Sequence, residues 1–187
     1  MNSAGPVLKV SPANNALERI ARWDLQVCLR MNRVCYRLTW RVFFRCISVL
    51  GDGIAWYALM AVLLLRYRND AVLPVLHMIV VGLACTAGYK WLKARTSRPR
   101  PYQLHSDIQH FIAPLDRFSF PSGHTLHAVA FSLVAASYYP ALSVPLAIFS
   151  MLIATSRVVL GLHYPSDVIA GATIGAIIAT ASQILVH

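Results

Sequence analysis

The chain has 187 residues, of which 57% are hydrophobic and only 13% charged, and its mean hydropathy is +0.56. Soluble domains carry about 25% charged residues, so the chain lacks the polar surface to cover a soluble globule, and composition favours a membrane protein. The formal net charge of +10, from 17 Lys+Arg against 7 Asp+Glu, suits anionic lipid or an anionic substrate. The apolar content argues against nucleic acid as a partner.

Residues 1–14 are polar to mixed and read as a loose tail. Met1 to Pro12 lacks the apolar stretch of a cleavable signal, so membrane insertion is expected to rest on internal segments. Over residues 15–50, Arg19, Arg22, Arg30, Arg33, Arg37, Arg41 and Arg45 recur at helical spacing within an arc of about 140°. Leu25, Val27, Leu29, Val34, Trp40 and Phe44 occupy much of the remainder. The pattern predicts a basic amphipathic helix at the interface of an anionic membrane. A continuous span is disfavoured, since each central Arg costs at least about 2.5 kcal/mol to insert. The alternative is the solvated face of a bundle helix.

Gly51-Asp52-Gly53 reads as a turn. Ile54–Leu65 is a first apolar run, short of the roughly 20 residues that cross a bilayer unless it borrows Cys46–Gly53. Ala71–Leu92 is long enough, with His77 as an interior polar group lacking an obvious partner. A basic polar loop follows over residues 90–116. Apolar character then runs from Gly123 to Leu162, with Arg157 its only charged residue. That length allows two spans, divided near Tyr139-Pro140-Ala141. His163–Asp167 is a second polar break. Val168–Val186 forms a last span, with Gly171 and Gly175 as a small-residue contact face. The sum is an all-α, polytopic membrane bundle: about five transmembrane helices over residues 51–187, preceded by the interfacial helix. Cys28, Cys35, Cys46 and Cys85 follow no metal-ligand spacing and read as reduced thiols.

The chemistry collects where polar breaks meet span ends. Pro121 and Ser122 suit a helix start, Gly123 lets a ligand approach the main chain, and the exposed N–H groups favour phosphate. His124 beside them can exchange a proton near neutral pH. Alternating the spans across the membrane brings Lys93, Arg100, Ser122, His124, Arg157, His163 and Asp167 to one face. Three cations, two histidines and a carboxylate on that face are more than headgroup contacts require.

Lys93-x6-Arg100-Pro101, Pro121-Ser122-Gly123-His124 and Ser156-Arg157-x5-His163-x3-Asp167 resemble the three signature motifs of the type 2 phosphatidic acid phosphatase (PAP2) family. That family shares its site with vanadium haloperoxidases and some acid phosphatases. The resemblance covers residues 93–167 and leaves residues 1–50 outside. It implies a PAP2-like bundle and removal of a terminal phosphate from a lipid phosphate or pyrophosphate. Candidate substrates are undecaprenyl pyrophosphate, phosphatidylglycerol phosphate, phosphatidic acid or a lipid A phosphate.

The residue chemistry agrees. His163 can attack phosphorus, giving a phosphohistidine, and Asp167 can accept its other ring N–H. Lys93, Arg100 and Arg157 can neutralise phosphoryl oxygens, while Ser122 and Gly123 add donors. His124 can serve as acid and then base, and Ser156 is expected to support the site by hydrogen bonding. With three fixed cations, no metal or other cofactor is expected. Lipid phosphate and anionic membrane lipids are the expected partners, and oligomeric state stays open. The rival readings are a non-catalytic phospholipid-binding protein and a vanadate-dependent haloperoxidase. Arg98, in Arg98-Pro99-Arg100-Pro101, can be mistaken for the motif arginine, but the spacing from Lys93 selects Arg100. Tyr102, His105, Asp107, Asp116 and Arg117 read as solvated loop residues, and His127 as a packed polar group. A bacterial inner membrane is the expected location, and charge bias puts the catalytic face on the cytoplasmic side. The opposite face is the alternative.

Overall fold

Proline and glycine mark most of the places where helices end, and the folded chain respects them. The computed structural model describes residues 12–114 and 116–186, so most of the expected tail lies outside the described residues. The helices are α1 (Pro12–Asn32), α2 (Leu38–Val49), α3 (Ala55–Tyr67), α4 (Val72–Thr96), the short α5 (Pro101–Leu104), α6 (Gly123–Tyr138), α7 (Ser143–Val159) and α8 (Pro165–Val186). No strand occurs among the described residues.

Among the described residues, three helical stretches are long and apolar enough to cross a membrane: the bent run Leu38–Leu104, which holds α2 to α5, then Pro140–Val159 and Pro165–Val186. Large apolar side chains such as Tyr57, Val62, Leu65, Leu73, Leu76, Val80 and Leu83 are exposed along α3 and α4. A contiguous apolar exterior of this kind is what lipid covers. The five apolar runs read from the sequence fall on α2–α3, α4, α6, α7 and α8.

Helix α6 is the centre. Its 16 residues span about 24 Å at 1.5 Å per residue, less than the roughly 30 Å hydrocarbon thickness. It compensates by packing on α4, α7 and α8 at once. Leu126, Ala128, Ala130, Val134 and Ala135 are fully buried there, in one core with Trp56, Met78 and Ile153. Gly171 and Gly175 of α8 let that helix close on α6: a Cβ at either would collide with the carbonyl of Ser122 or Leu126. His77 is accounted for within this core, its ring nitrogens lying 3.0 Å from the Tyr138 hydroxyl and 2.9 Å from that of Ser182.

Three expectations need correction. The single helix over residues 15–50 is two helices, broken by a 3-10 turn at Arg33–Tyr36 and an extended Arg37. It also begins at Pro12, so residues 12–14 are helical rather than part of a tail. Gly51-Asp52-Gly53 does not reverse the chain. It forms a wide π-turn that bends α2 into α3, using Gly53 at φ 132°, a conformation side chains rarely tolerate. Finally, α4 continues to Thr96, so Lys90 and Lys93 lie on a helix rather than in the basic loop.

Candidate active site

Four helix ends build one cavity. The C-terminal turns of α4 and α7 and the N-terminal turns of α6 and α8 meet at one end of the bundle, with the π-turn beside them. The cavity is about 730 Å³, and Lys93, Arg100, Gly123, His124, Arg157 and His163 line its polar end. Asp52 and Asp116 line it too, while Trp56, Tyr57, Met60, Ile79, Leu83 and Phe131 carry it onward between α3 and α4.

Local sequence explains each placement. Ser122 precedes α6, so Gly123 and His124 occupy its first turn, where backbone N–H groups lack intrahelical partners. Pro165 opens α8, leaving His163 just outside the helix and Asp167 in its first turn. Gly161, at φ 73°, makes the tight exit from α7 and brings the chain against the Gln109 carbonyl.

His163 is almost fully buried. Its Nε2 lies 3.2 Å from an Arg100 guanidinium nitrogen that also donates to the Leu162 carbonyl at 2.8 Å. Burial first, and then Arg157, Arg100 and Lys93, push its imidazole well below the ordinary histidine range. At neutral pH the ring is therefore uncharged and keeps a lone pair. Its Nδ1 is buried without a hydrogen-bond partner among the described residues. The Asp167 carboxylate stands 3.7 Å away, an ion-pair distance rather than a hydrogen bond. Asp167 instead accepts from the Tyr164 N–H at 2.9 Å and from Arg98 at 2.6 Å.

The cations are held by protein groups. Lys93 and Arg100 share the Asp116 carboxylate, at 2.6 and 2.8 Å. Burial works against the Asp116 charge, but these two partners outweigh it and hold its carboxyl below the usual range. The guanidinium of Arg157 is buried and donates to the Ser48 hydroxyl of α2. His124 contacts the Asp52 carboxylate through Nε2.

Six of the nine expected residues thus line the cavity, and three stand behind it. Ser122 is buried, with its hydroxyl 3.0 Å from that of Thr125. Asp167 sits behind His163. Ser156 is a correction: its hydroxyl donates to the Ile153 carbonyl at 2.6 Å, so its bond stays within its own helix, a common habit of helical serines. His127, expected as a packed polar group, also lines the cavity, its Nδ1 2.9 Å from the Gly123 carbonyl.

Sequence reasoning missed Asp52, Asp116 and Arg98. Asp116 looked like a solvated loop residue and Arg98 was set aside in favour of Arg100, yet both are paired at the site. Asp52 was hidden in an apparent turn. The surplus of cations over carboxylates was the available signal, because buried positive charge recruits acids.

The fold and the cavity define a membrane-embedded helical bundle with a cationic, histidine-lined site at one end. Residues 71–187 match the PAP2 superfamily, and the chain belongs to it. It is 37% identical over 89 residues to the lipid A 1-phosphatase of Rhizobium johnstonii, covering 46% of this chain and 36% of that protein. It is 36% identical over 80 residues to the undecaprenyl-diphosphatase BcrC of Bacillus subtilis, covering 43% and 41%. The chain therefore spans less than half the length of these curated relatives. Among solved structures, Aquifex aeolicus LpxE superposes with a TM-score of 0.74 at 28% identity, covering 86% of this chain and 94% of that one. A transmembrane PAP2-type phosphatidylglycerolphosphate phosphatase from Bacillus subtilis gives 0.71 at 22% identity, covering 89% and 86%, and speaks to the fold alone.

Proposed function

We propose that this protein is an integral-membrane lipid phosphatase that removes a terminal phosphate from a lipid phosphate or pyrophosphate through a phosphohistidine on His163. The observation that carries the reading is the two-part cavity. Its polar end offers Lys93, Arg100 and Arg157 around a neutral histidine, and its other end runs between α3 and α4 along apolar side chains. A phosphate on a greasy tail fits both ends at once.

In this mechanism the three cations, with the Gly123 N–H, take up the negative charge of the phosphoryl oxygens. The lone pair on His163 Nε2 attacks phosphorus as the bond to the leaving oxygen breaks. His124 gives that oxygen its proton. The Asp167 carboxylate closes on Nδ1–H and balances the positive ring, as catalytic contacts tighten in the reacting complex. His124 then takes a proton from water, whose oxygen attacks phosphorus and breaks the N–P bond. Asp52, touching His124, orients that imidazole. Ser122 supports Gly123 from behind. None of these steps uses a metal.

The related lipid A 1-phosphatase and undecaprenyl-diphosphatase make lipid A phosphates and polyprenyl pyrophosphates the first substrates to try, ahead of phosphatidylglycerol phosphate and phosphatidic acid. Phosphate release in detergent with EDTA, measured across that panel, tests the reading. Inactivity towards every member sinks it, and dependence on added magnesium removes the metal-free route. We assign the arginine face of α1 and α2 to an anionic leaflet and the catalytic face to the cytoplasm. A cysteine at Gln109 in a Cys46→Ser background tests the sidedness: labelling by an impermeant reagent in intact cells puts that face outside.

A further inference from the structure

Helix α1 lies outside the stretch that matches the superfamily, and its arginines are exposed. Its opposite face is not simply apolar. Asp24, Cys28 and Asn32, four residues apart, form a buried polar stripe at 0%, 0% and 1% exposure. Each docks on the catalytic segments. Asn32 donates to the carbonyls of Gln109 and Val159 at 2.8 and 3.0 Å. The Cys28 thiol donates to the carbonyl of His163 itself at 3.6 Å.

Asp24 makes the most consequential contacts. Its carboxylate accepts from the Ser166 N–H at 2.9 Å, the Ser166 hydroxyl at 2.5 Å and the Arg98 guanidinium at 2.8 Å. The other end of that guanidinium donates to Asp167 at 2.6 Å. The Arg98 plane lies over the Tyr164 ring, 4.2 Å from its centre, so the bridge has little freedom to move. Arg98 therefore takes one oxygen of the carboxylate assigned to His163. Alone, an Arg98–Asp167 pair is electrically neutral and offers nothing to a positively charged imidazole. With Asp24 on the far side, two carboxylates share one guanidinium, and one net negative charge remains facing His163.

We propose that Asp24 is a positioning residue for the nucleophile: it divides the charge of Arg98 and so leaves Asp167 free to compensate the ring of His163 in the covalent intermediate. Helix α1 is thus part of the catalytic face as well as a surface helix. This rests on the phosphatase reading above.

The test is a charge-balance cycle on full-length protein, assayed for phosphate release with the best lipid phosphate of the panel. Asp24→Asn is expected to lower kcat by about tenfold or more with KM unchanged, because Lys93, Arg100 and Arg157 are untouched. Arg98→Gln is also expected to lower kcat, having lost the clamp on Asp167. The double variant Asp24→Asn/Arg98→Gln restores one net negative charge on Asp167, and is expected to recover above Asp24→Asn and to match or exceed Arg98→Gln. A purely structural Asp24 gives the opposite: a double variant worse than either single, and that result overturns the assignment. Should Asp24→Asn fail to fold, the double variant against Arg98→Gln still decides in the same way. An active wild type with an unaltered Asp24→Asn overturns this assignment alone, whereas a wild type inactive on the whole panel overturns both it and the phosphatase reading.

Discussion

Two of the three histidines that line the cavity, His163 and His124, have carboxylate partners in different settings. His163 is walled in, with Arg100 on one ring nitrogen, Asp167 behind the other, and a chain of paired charges reaching back to α1. His124 is largely enclosed as well, but its carboxylate partner Asp52 lies on an exposed bend of the first membrane pass. A nucleophile gains from a fixed, neutral ring and a counter-charge that does not drift. A group that gives and takes protons needs access to the leaving oxygen and to water. The difference supports the roles proposed for the two rings.

Substitutions can break this contrast from either side. His163→Ala is expected to cost on the order of 10³-fold or more in phosphate release, since removing the attacking atom leaves only binding. Steady-state assay in detergent measures it. Asp167→Asn keeps the shape but removes the counter-charge, and a loss of about 10²-fold in kcat, with little change in KM, is expected. Equal losses in kcat and affinity there contradict a role confined to the intermediate.

On the open side, Asp52→Asn is expected to lower kcat by about tenfold for an alkyl phosphate and less for an aryl phosphate, whose better leaving group needs less proton transfer. A uniform loss across leaving groups contradicts the pairing with His124. The smallest effect concerns stability. The Asp116 carboxyl is held below its ordinary value of 3.8 by Lys93 and Arg100 against its burial, so its charge stabilises the folded state above that value. The contribution fades as pH falls through the lowered native value. Melting curves of wild type and Asp116→Asn should therefore differ at neutral pH and converge in acid. Curves that stay apart in acid exclude this source.

Much of the bundle was legible in the sequence because lipid makes hydrophobic length informative. Pro165 and Pro140 marked helix starts, and Gly171 with Gly175 marked the face where α8 meets α6. Cavity-lining residues were equally visible, since Lys93, Arg100, His124, Arg157 and His163 sit at span ends in motif order. Apart from Asp167, their paired acids were not. Asp24 is 74 residues from Arg98 along the chain, and a buried polar stripe of Asp24, Cys28 and Asn32 has no hydrophobic period to reveal it. Asp52 was concealed by its glycines, which announce a turn whether the chain reverses or merely bends. Asp116 was hidden by a loop whose net charge is basic. In each case the missing fact was a long-range ion pair, which local pattern does not encode.

The most direct measurement is the site of the covalent phosphate. Wild type and His124→Ala protein can be quenched in alkali during turnover of an activated phosphate ester, conditions under which phosphohistidine survives, and their phosphopeptides mapped. Phosphohistidine catalysis puts the phosphate on His163, accumulating further in His124→Ala because hydrolysis of the intermediate is slowed. Turnover with phosphate on any other residue, or an unphosphorylated His163 in both proteins, contradicts it.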